Sequence, residues 1–530
     1  MAFFFPLRAG DLGRRVLCSA LALLLGLGPA LSRAQLPGLG DGSEMTAGAE
    51  RRLGDRIARE LYRDPDYLDD PVLVEYLQSI WQPLLAAAQA RGEMSEELHE
   101  RFAWELLLGR DRVVNAFALP GGYMGVYAGL IAVTDSRDEL ASVLAHELSH
   151  VTQRHISRLM TQQSRTTPLM LAAMVLGALA ASKNPQAANA LIVGGTAVSA
   201  QVQLNFSRAM EREADRVGFG VMTQAGFDGE GFPAMFEKLQ QASRLNDNGS
   251  FPYLRSHPLT TERIADMRAR VPLDAPRPQR SGPAAPLPSS GAEASLPTVT
   301  VSAASGSLEH ALVAARARVI SRPGVDALRA WAAEPDQGGF GAQSPRRQMV
   351  ALYAGALAHV QQRDFDRARA QVARLAPMVA DDAPAARLVR LLSAEIELRA
   401  GNGARTAALV MPGAPAGRPE LIYYAEASQH GSGARDVADR LQTWVATHPR
   451  DATAWQLLAT AYRAINQPLR ALRAEAEAQV AHVDWAGAVD RYKAGQELMR
   501  KQGGDYVEAS IIDTRLREAE SRLREDAADR

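Results

Sequence analysis

Two histidines and a glutamate within five residues are the strongest chemical signal in this sequence. His146, Glu147 and His150 spell H-E-x-x-H inside an apolar stretch that is typical of a helix. Because a helix turns once in about 3.6 residues, the two imidazoles point the same way and can hold one metal ion between them. Glu147 lies about 100° round the same helix, where its carboxylate can take a proton from a nearby water. The pattern predicts hydrolysis at a metal centre.

A third ligand is expected from a second helix, in the stretch FSRAMEREADRVGFG at 206–220. Glu211 and Asp215 lie one turn apart there, so Glu211 can complete the ligand set while Asp215 accepts the free N–H of a ligating histidine. Glu213 competes for the ligand role, but it lies about 200° from Glu211 on the helix. The arginines between these acids can instead pair with them on a solvated face, and this alternative stays open.

The elements before the H-E-x-x-H helix are expected to position it. Helices are predicted over 46–91, followed by three short strands. The expected strands are Phe102–Leu108, Val113–Leu119 and Tyr123–Ala132. A sheet edge beside a metal cleft can pair with an extended peptide through main-chain hydrogen bonds, so we predict a substrate strand at Asn115, Ala116 and Phe117. An ordinary buried hairpin is the alternative.

Length and charge limit the class of protein. The chain has 530 residues, of which 47% are hydrophobic and 22% charged, so it is long enough for two or more folded units. Its net charge is −1, and the arginines that supply most of its positive charge are spread along the chain. A nucleic-acid partner is therefore not expected.

The first residues are typical of a secretory signal. Arginines at positions 8, 14 and 15 precede an apolar run over 16–27, and small residues follow it, so cleavage is expected after Ala34. A membrane anchor is the alternative, but the run is shorter than the roughly 20 residues of a spanning helix. Cys18, the only cysteine, lies within this run. Residues 1–34 therefore predict secretion of a chain without disulfides, which is compatible with an oxidising compartment.

Two further apolar stretches, at 168–181 and 187–200, are each too short to cross a bilayer. We expect a helical hairpin that packs on the H-E-x-x-H helix or covers its cleft. Neither stretch has the cationic face of an interfacial helix, so membrane contact is expected to be peripheral at most.

The chain after position 271 changes character twice. Residues 272–306 are rich in Pro, Ala and Ser, which predicts a linker, and residues 307–530 are helical. Leu421 and Trp455 begin similar segments 34 residues apart, a spacing typical of tetratricopeptide repeats. Asp364 and Asp484 are each expected to precede the second helix of another repeat. About four repeats would form a solenoid whose concave groove binds a partner, or serve a purely structural role.

Four motifs together resemble the M48 family of zinc metallopeptidases. They are HELSH at 146–150, EREAD at 211–215, NAFALPGG at 115–122 and SHPLT at 256–260. The resemblance implies one Zn²⁺ per chain, held by His146, His150 and Glu211. It also implies Glu147 as general base, Asp215 as support for the ligands and His257 as a residue poised over the metal.

The resemblance also implies a fold and a function. The fold is α+β, mainly α: a zincin-like domain with a small sheet at 35–271, followed by an all-α repeat domain. The soluble periplasmic branch of the family is the most similar, because the long membrane spans of other branches are missing. It implies an endopeptidase with chaperone activity that degrades misassembled outer-membrane β-barrel proteins and contacts their assembly machinery through the repeats. The alternative is a periplasmic chaperone or scaffold whose zinc site is mostly latent.

His257 precedes a proline, which favours an extended backbone from which the imidazole can project. Two roles stay open. As a fourth ligand it would close the metal site until the loop moved, and as a hydrogen-bond donor it would stabilise the oxyanion of the reaction.

Overall fold

A computed structural model describes residues 45–162, 206–245, 251–271, 306–411, 417–428 and 433–528. The expected signal at 1–34, the apolar stretches at 168–181 and 187–200, and all but the last residue of the expected linker lie outside these ranges. Within the described part of the chain, no helix is both long enough and apolar enough to cross a membrane.

The first half of the described chain is mainly helical, with three short strands. Its helices are α1 (Ala47–Arg63), α2 (Pro71–Ala90), α3 (Glu96–Arg101), α4 (Ala128–Val133), α5 (Arg137–Thr152), α6 (His155–Gln162), α7 (Arg208–Gln224), α8 (Gly231–Leu245), α9 (Tyr253–Ser256) and α10 (Thr261–Arg270). Its strands are β1 (Glu105–Gly109), β2 (Ala116–Leu119) and β3 (Tyr123–Tyr127). The mainly helical α+β architecture expected from the sequence is confirmed.

The sheet has the order β1-β3-β2, with β1 parallel and β2 antiparallel to β3. The expected third strand, Tyr123–Ala132, is wrong in its second half, because the chain enters helix α4 at Ala128. Every residue of α4 is buried, so its sequence shows no periodicity that could separate a short helix from a strand. Strand β2 is left at the edge of the sheet, next to helix α5.

Helices α5 and α7 pack along each other at the centre of the first half. Helix α5 starts at its N-cap Ser136 and is buried from Glu139 onward. Gly218 of α7 lies against the α5 backbone, where an added Cβ would come 3.0 Å from the carbonyl oxygen of Ala145. Glycine there lets the two helix backbones approach closely, which brings the side chains of the two helices together.

The second half of the described chain consists of consecutive helices. They are α11 (Leu308–Ile320), α12 (Val325–Ala333), α13 (Pro345–Gln361), α14 (Phe365–Leu375), α15 (Ala383–Arg399), α16 (Gly403–Val410), α17 (Arg418–Ser428), α18 (Ala434–Thr447), α19 (Ala452–Ala464), α20 (Pro468–Ala481), α21 (Trp485–Gln502) and α22 (Tyr506–Ala528). Asp364 and Asp484 are the N-caps of α14 and α21, as an aspartate before a helix suggests. Helix α21 packs on both α20 and α22, so its place as the second helix of a repeat stays a prediction.

The repeat helices pack directly on the first half. One hydrophobic cluster contains Leu73 of α2, Leu312 of α11 and Leu388 of α15. Buried Arg316 of α11 donates two hydrogen bonds to Asp70, at 2.8 and 2.6 Å, and the residues are 246 positions apart. The separation into domains at 35–271 and 307–530 remains a prediction, but the two segments share a core.

Candidate metal centre

The two histidines of the H-E-x-x-H motif lie one turn apart on α5 and are buried. Their Nε2 atoms are 3.0 Å apart. Burial lowers the pKa of His150 well below its usual value, which favours the neutral imidazole that binds metals. Two ring nitrogens that face each other at this distance need a proton or a cation between them.

Helix α7 brings the carboxylate of Glu211 to the two Nε2 atoms. Glu211 lies in the first turn of α7, after the N-cap Ser207, and its nearest oxygens are 3.5 Å from Nε2 of His146 and 3.5 Å from Nε2 of His150. Glu213 faces elsewhere: its Oε2 atom lies 3.1 Å from Nε2 of His155. The structure therefore places Glu211, and not Glu213, beside the two histidines.

His257 completes a group of four. Its Nδ1 atom lies 3.0 Å from Oε1 of Glu211 and 3.4 Å from Nε2 of His146. The backbone at His257 (φ −122°, ψ 78°) lies outside the helical region and short of the extended one, and its ring is stacked on Tyr253 with 4.7 Å between centroids. His257 is 2% exposed, so the loop turns the imidazole into the centre and away from solvent.

These four side chains fit a small dication. One donor atom from each of His146, His150, Glu211 and His257 can be chosen so that all lie within 4.8 Å of one another. Five donor separations run from 3.0 to 3.5 Å. Ligands of a tetrahedral zinc at about 2.1 Å are roughly 3.4 Å apart, and zinc accepts both imidazole nitrogen and carboxylate oxygen. The donor set and its spacing suit this ion.

Asp215 and Arg263 support the centre from one side. Oδ1 of Asp215 lies 2.9 Å from Nδ1 of His146, and Arg263 donates to both oxygens of Asp215 at 2.6 and 2.7 Å. Burial opposes protonation of His146, but Asp215 and Glu211 outweigh it and raise the pKa of His146 to about 9. The surroundings therefore attract positive charge to the position between the ligands. Carboxylate support of this kind is typical of metal-binding histidines.

Comparison with known proteins agrees with this geometry. Residues 74–271 match peptidase family M48. This M48-like domain covers less than half of the chain. The domain contains every member of the group of four, together with Glu147, Asp215 and Arg263.

Three proteins of known name are similar to part of the chain. The chain is 34% identical over 238 residues to the beta-barrel assembly-enhancing protease of Escherichia coli K12, covering 44% of this chain and 47% of that protein. It is 34% identical over 263 residues to the protein of the same name from Yersinia pestis, covering 50% and 52%. It is 31% identical over 169 residues to the mitochondrial metalloendopeptidase OMA1 of Schizosaccharomyces pombe, covering 32% and 47%. The chain thus matches about half the length of these relatives.

Glu147 of the M48 domain lies beside the ligands without joining them. Its Oε2 atom accepts a hydrogen bond from the backbone N–H of Ala118 at 2.9 Å, and its Oε1 atom lies 3.4 Å from Nε2 of His257. The side chain is buried, and this burial raises the pKa of the carboxyl group. A carboxylate with a raised pKa is a better proton acceptor.

The expected substrate strand lies at the edge of the sheet. The carbonyl oxygen of Asn115 accepts a hydrogen bond from the Tyr127 N–H, so Asn115 and Phe117 pair with β3. In an antiparallel ladder the alternate residues direct their backbone groups to the other side. Ala116 and Ala118 therefore direct theirs away from β3, and the Ala118 N–H reaches Glu147. The role of these residues in substrate binding remains a prediction.

Sequence reasoning missed two polar residues that contact the centre. Arg263 lies in the first turn of α10, whose N-cap Thr260 belongs to the SHPLT motif, and this spacing from His257 was a usable signal. His155 lies five residues beyond His150, and its Nδ1 atom is 2.9 Å from Nδ1 of His150. The spacing of His150 and His155 did not predict the direction of the His155 side chain, because α5 ends between them.

Proposed function

We propose that this chain is a zinc-dependent endopeptidase. The observation that carries the proposal is the group of four buried donors, His146, His150, Glu211 and His257, with the carboxylate of Glu147 against it. The M48 match of the surrounding domain supports it. A group that only stabilised the fold would not need an additional carboxylate, Glu147, beside it.

Zinc held by His146, His150 and Glu211 would supply a Lewis acid that acidifies water and polarises the peptide carbonyl. Glu147 takes the proton of the attacking water and returns it to the leaving amine. The Ala118 N–H holds one oxygen of Glu147, which leaves the other directed at the reacting groups. The backbone groups of Ala116 hold an extended substrate along β2, so the peptide lies parallel to the sheet edge and within reach of Glu147.

His257 is proposed to plug the centre. Its Nδ1 atom lies among the ligands and its Nε2 atom faces Glu147, so it occupies both the fourth ligand position and the space beside the base. An oxyanion donor would be needed only in the open state, whereas these contacts belong to a closed one. The loop must therefore move before a peptide can bind.

His257→Ala is expected to raise basal cleavage of an unfolded protein by up to about 10-fold. This is the increase expected if about nine molecules in ten are closed in wild type and all are open in the variant. The rate is measured with purified protein and labelled casein, and bound zinc is determined in the same samples. His310→Ala is the matched control, because this buried histidine contacts Tyr76 and Thr134, outside the centre. Loss of cleavage with zinc retained would instead identify His257 as a transition-state donor.

The substrates are proposed to be unfolded or misassembled outer-membrane β-barrel proteins. The support is the similarity to proteins named beta-barrel assembly-enhancing protease and the signal predicted at 1–34, which together favour the periplasm. The helical repeats are proposed to be tetratricopeptide-like and to contact the β-barrel assembly machinery, with chaperone activity as part of that role. A scaffold with a mostly latent zinc centre is the alternative, favoured by the closed position of His257.

Cleavage of an unfolded outer-membrane β-barrel protein tests this proposal against cleavage of an unfolded helical periplasmic protein of equal length. We expect preferential cleavage of the β-barrel protein, because an extended strand adds readily to the edge of β2. Cleavage sites are identified by mass spectrometry. Equal cleavage of the two unfolded proteins would contradict the substrate assignment. If neither wild type nor His257→Ala cleaves either protein, the scaffold is favoured.

A further inference from the structure

His150 has its own support, made by two residues that the proposed reaction does not use. His155, the first residue of α6, is fully buried, and Glu213 reaches it from α7. We propose that His155, backed by Glu213, is a positioning residue that fixes the tautomer of His150 and directs its Nε2 lone pair at the metal. This inference rests on the proposed function, because it assigns a role toward the same zinc ion.

The Glu213 carboxylate sets the direction of the hydrogen bonds between Glu213, His155 and His150. The Glu213 carboxylate can only accept, so Nε2 of His155, 3.1 Å away, carries the proton. In a neutral imidazole the other nitrogen is then an acceptor, which makes Nδ1 of His155 the acceptor for Nδ1–H of His150, at 2.9 Å. Nε2 of His150 is left without a proton. This is the nitrogen that lies 3.5 Å from Glu211.

The two ligand histidines are thus supported in two different ways from one helix. Asp215 of α7 faces Nδ1 of His146 directly, while Glu213 of the same helix acts on His150 through His155. Glu211, Glu213 and Asp215 lie on α7 at alternate positions, so one helix supplies a ligand and both supports. Glu213, the rejected candidate for the ligand, has a function in this arrangement.

The local fold holds His155 in place for this role. Helix α5 ends at Thr152, Arg154 adopts a positive φ of 53°, and α6 starts at His155, so the chain reverses and returns the imidazole to His150. Phe206 stacks on His150 with 3.8 Å between centroids and covers the same side. The distance between the two histidines therefore depends on the turn and on packing as well as on the hydrogen bond.

Zinc affinity of the full-length protein, measured by competition with a chromogenic chelator, tests the proposal. Outer partners of zinc ligands typically contribute 10- to 100-fold in affinity, so His155→Phe is expected to weaken zinc binding by about that factor. His155→Gln retains an oxygen that can accept from His150 and is expected to recover most of the loss. Arg212→Gln is the matched control, since Arg212 lies next to Glu213 on α7 but pairs with the exposed Glu262 at 3.1 Å. It should leave the affinity unchanged.

A second variant and a second readout keep the test decisive. If His155→Phe fails to fold, Glu213→Leu replaces it in the test, because the Glu213 side chain is partly exposed. Glu213→Leu is also expected to weaken zinc binding. Histidine ¹H–¹⁵N NMR of the metal-free protein should show the proton of His150 on Nδ1 in wild type and its redistribution in Glu213→Leu. Wild-type affinity in both His155→Phe and Glu213→Leu overturns the inference. A wild-type protein that binds no zinc overturns the proposed function, and the NMR result then decides the role of His155.

Discussion

Glu147→Gln is expected to lower peptide hydrolysis by about 10³-fold while one zinc per chain stays bound. General-base catalysis contributes roughly 10² to 10⁴ in rate, and a neutral amide cannot accept the proton. The substitution preserves size in a fully buried position, and its amide oxygen can still accept from the Ala118 N–H. Turnover is measured with a fluorogenic peptide, and zinc by plasma emission on the same protein.

The matched control for this variant is Glu139→Gln, another buried glutamate of α5. Glu139 accepts from Lys238 and from the Asp135 N–H and has no contact with the ligands. It is expected to retain turnover after correction for any unfolded fraction. Cleavage by Glu147→Gln within a few-fold of wild type would remove Glu147 from the mechanism.

The second large effect is expected at Glu211. Glu211→Ala removes the only carboxylate of the group of four and leaves neutral imidazoles, without a charged ligand to balance the dication. Affinity should fall by more than the roughly 100-fold associated with outer partners. Zinc content after gel filtration at micromolar protein should therefore fall close to zero.

Glu213→Ala separates this result from a general effect of removing charge from α7. Glu213 contacts His155 and Arg158 and lies on the outer side of the centre, so zinc should stay near one per chain at the same protein concentration. Any smaller loss of affinity through His155 becomes visible only against a strong chelator. Zinc lost from Glu213→Ala and retained by Glu211→Ala would reverse the assignment of the third ligand.

Residue spacing predicted those side chains of the metal centre whose relative directions are set by a single helix. The spacing of His146 and His150 fixes a shared face, and the spacing of Glu211 and Asp215 does the same on α7. His155 and Arg263 contact the same centre but reach it through a reversal of the chain and through a loop. Their directions depend on tertiary packing, which residue spacing does not encode.

The fold shows the same limit. The 34-residue spacing of Leu421 and Trp455 was visible because repeat helices present similar residues at a fixed period. The packing of the repeats on the first half was not visible, since it uses buried pairs such as Asp70 with Arg316 that are far apart in sequence. Helix α4 was taken for a strand because a fully buried segment lacks the polar positions that mark its period.

Removal and restoration of zinc tests the central claim most directly. Zinc is stripped from wild type with a chelator, its loss is verified by plasma emission, and cleavage of unfolded protein is followed as zinc is added back. We expect cleavage to disappear with the metal and to return in proportion to zinc until one ion per chain is bound, while Glu147→Gln binds the same zinc without recovering cleavage. Cleavage that persists in verified zinc-free protein would contradict the account.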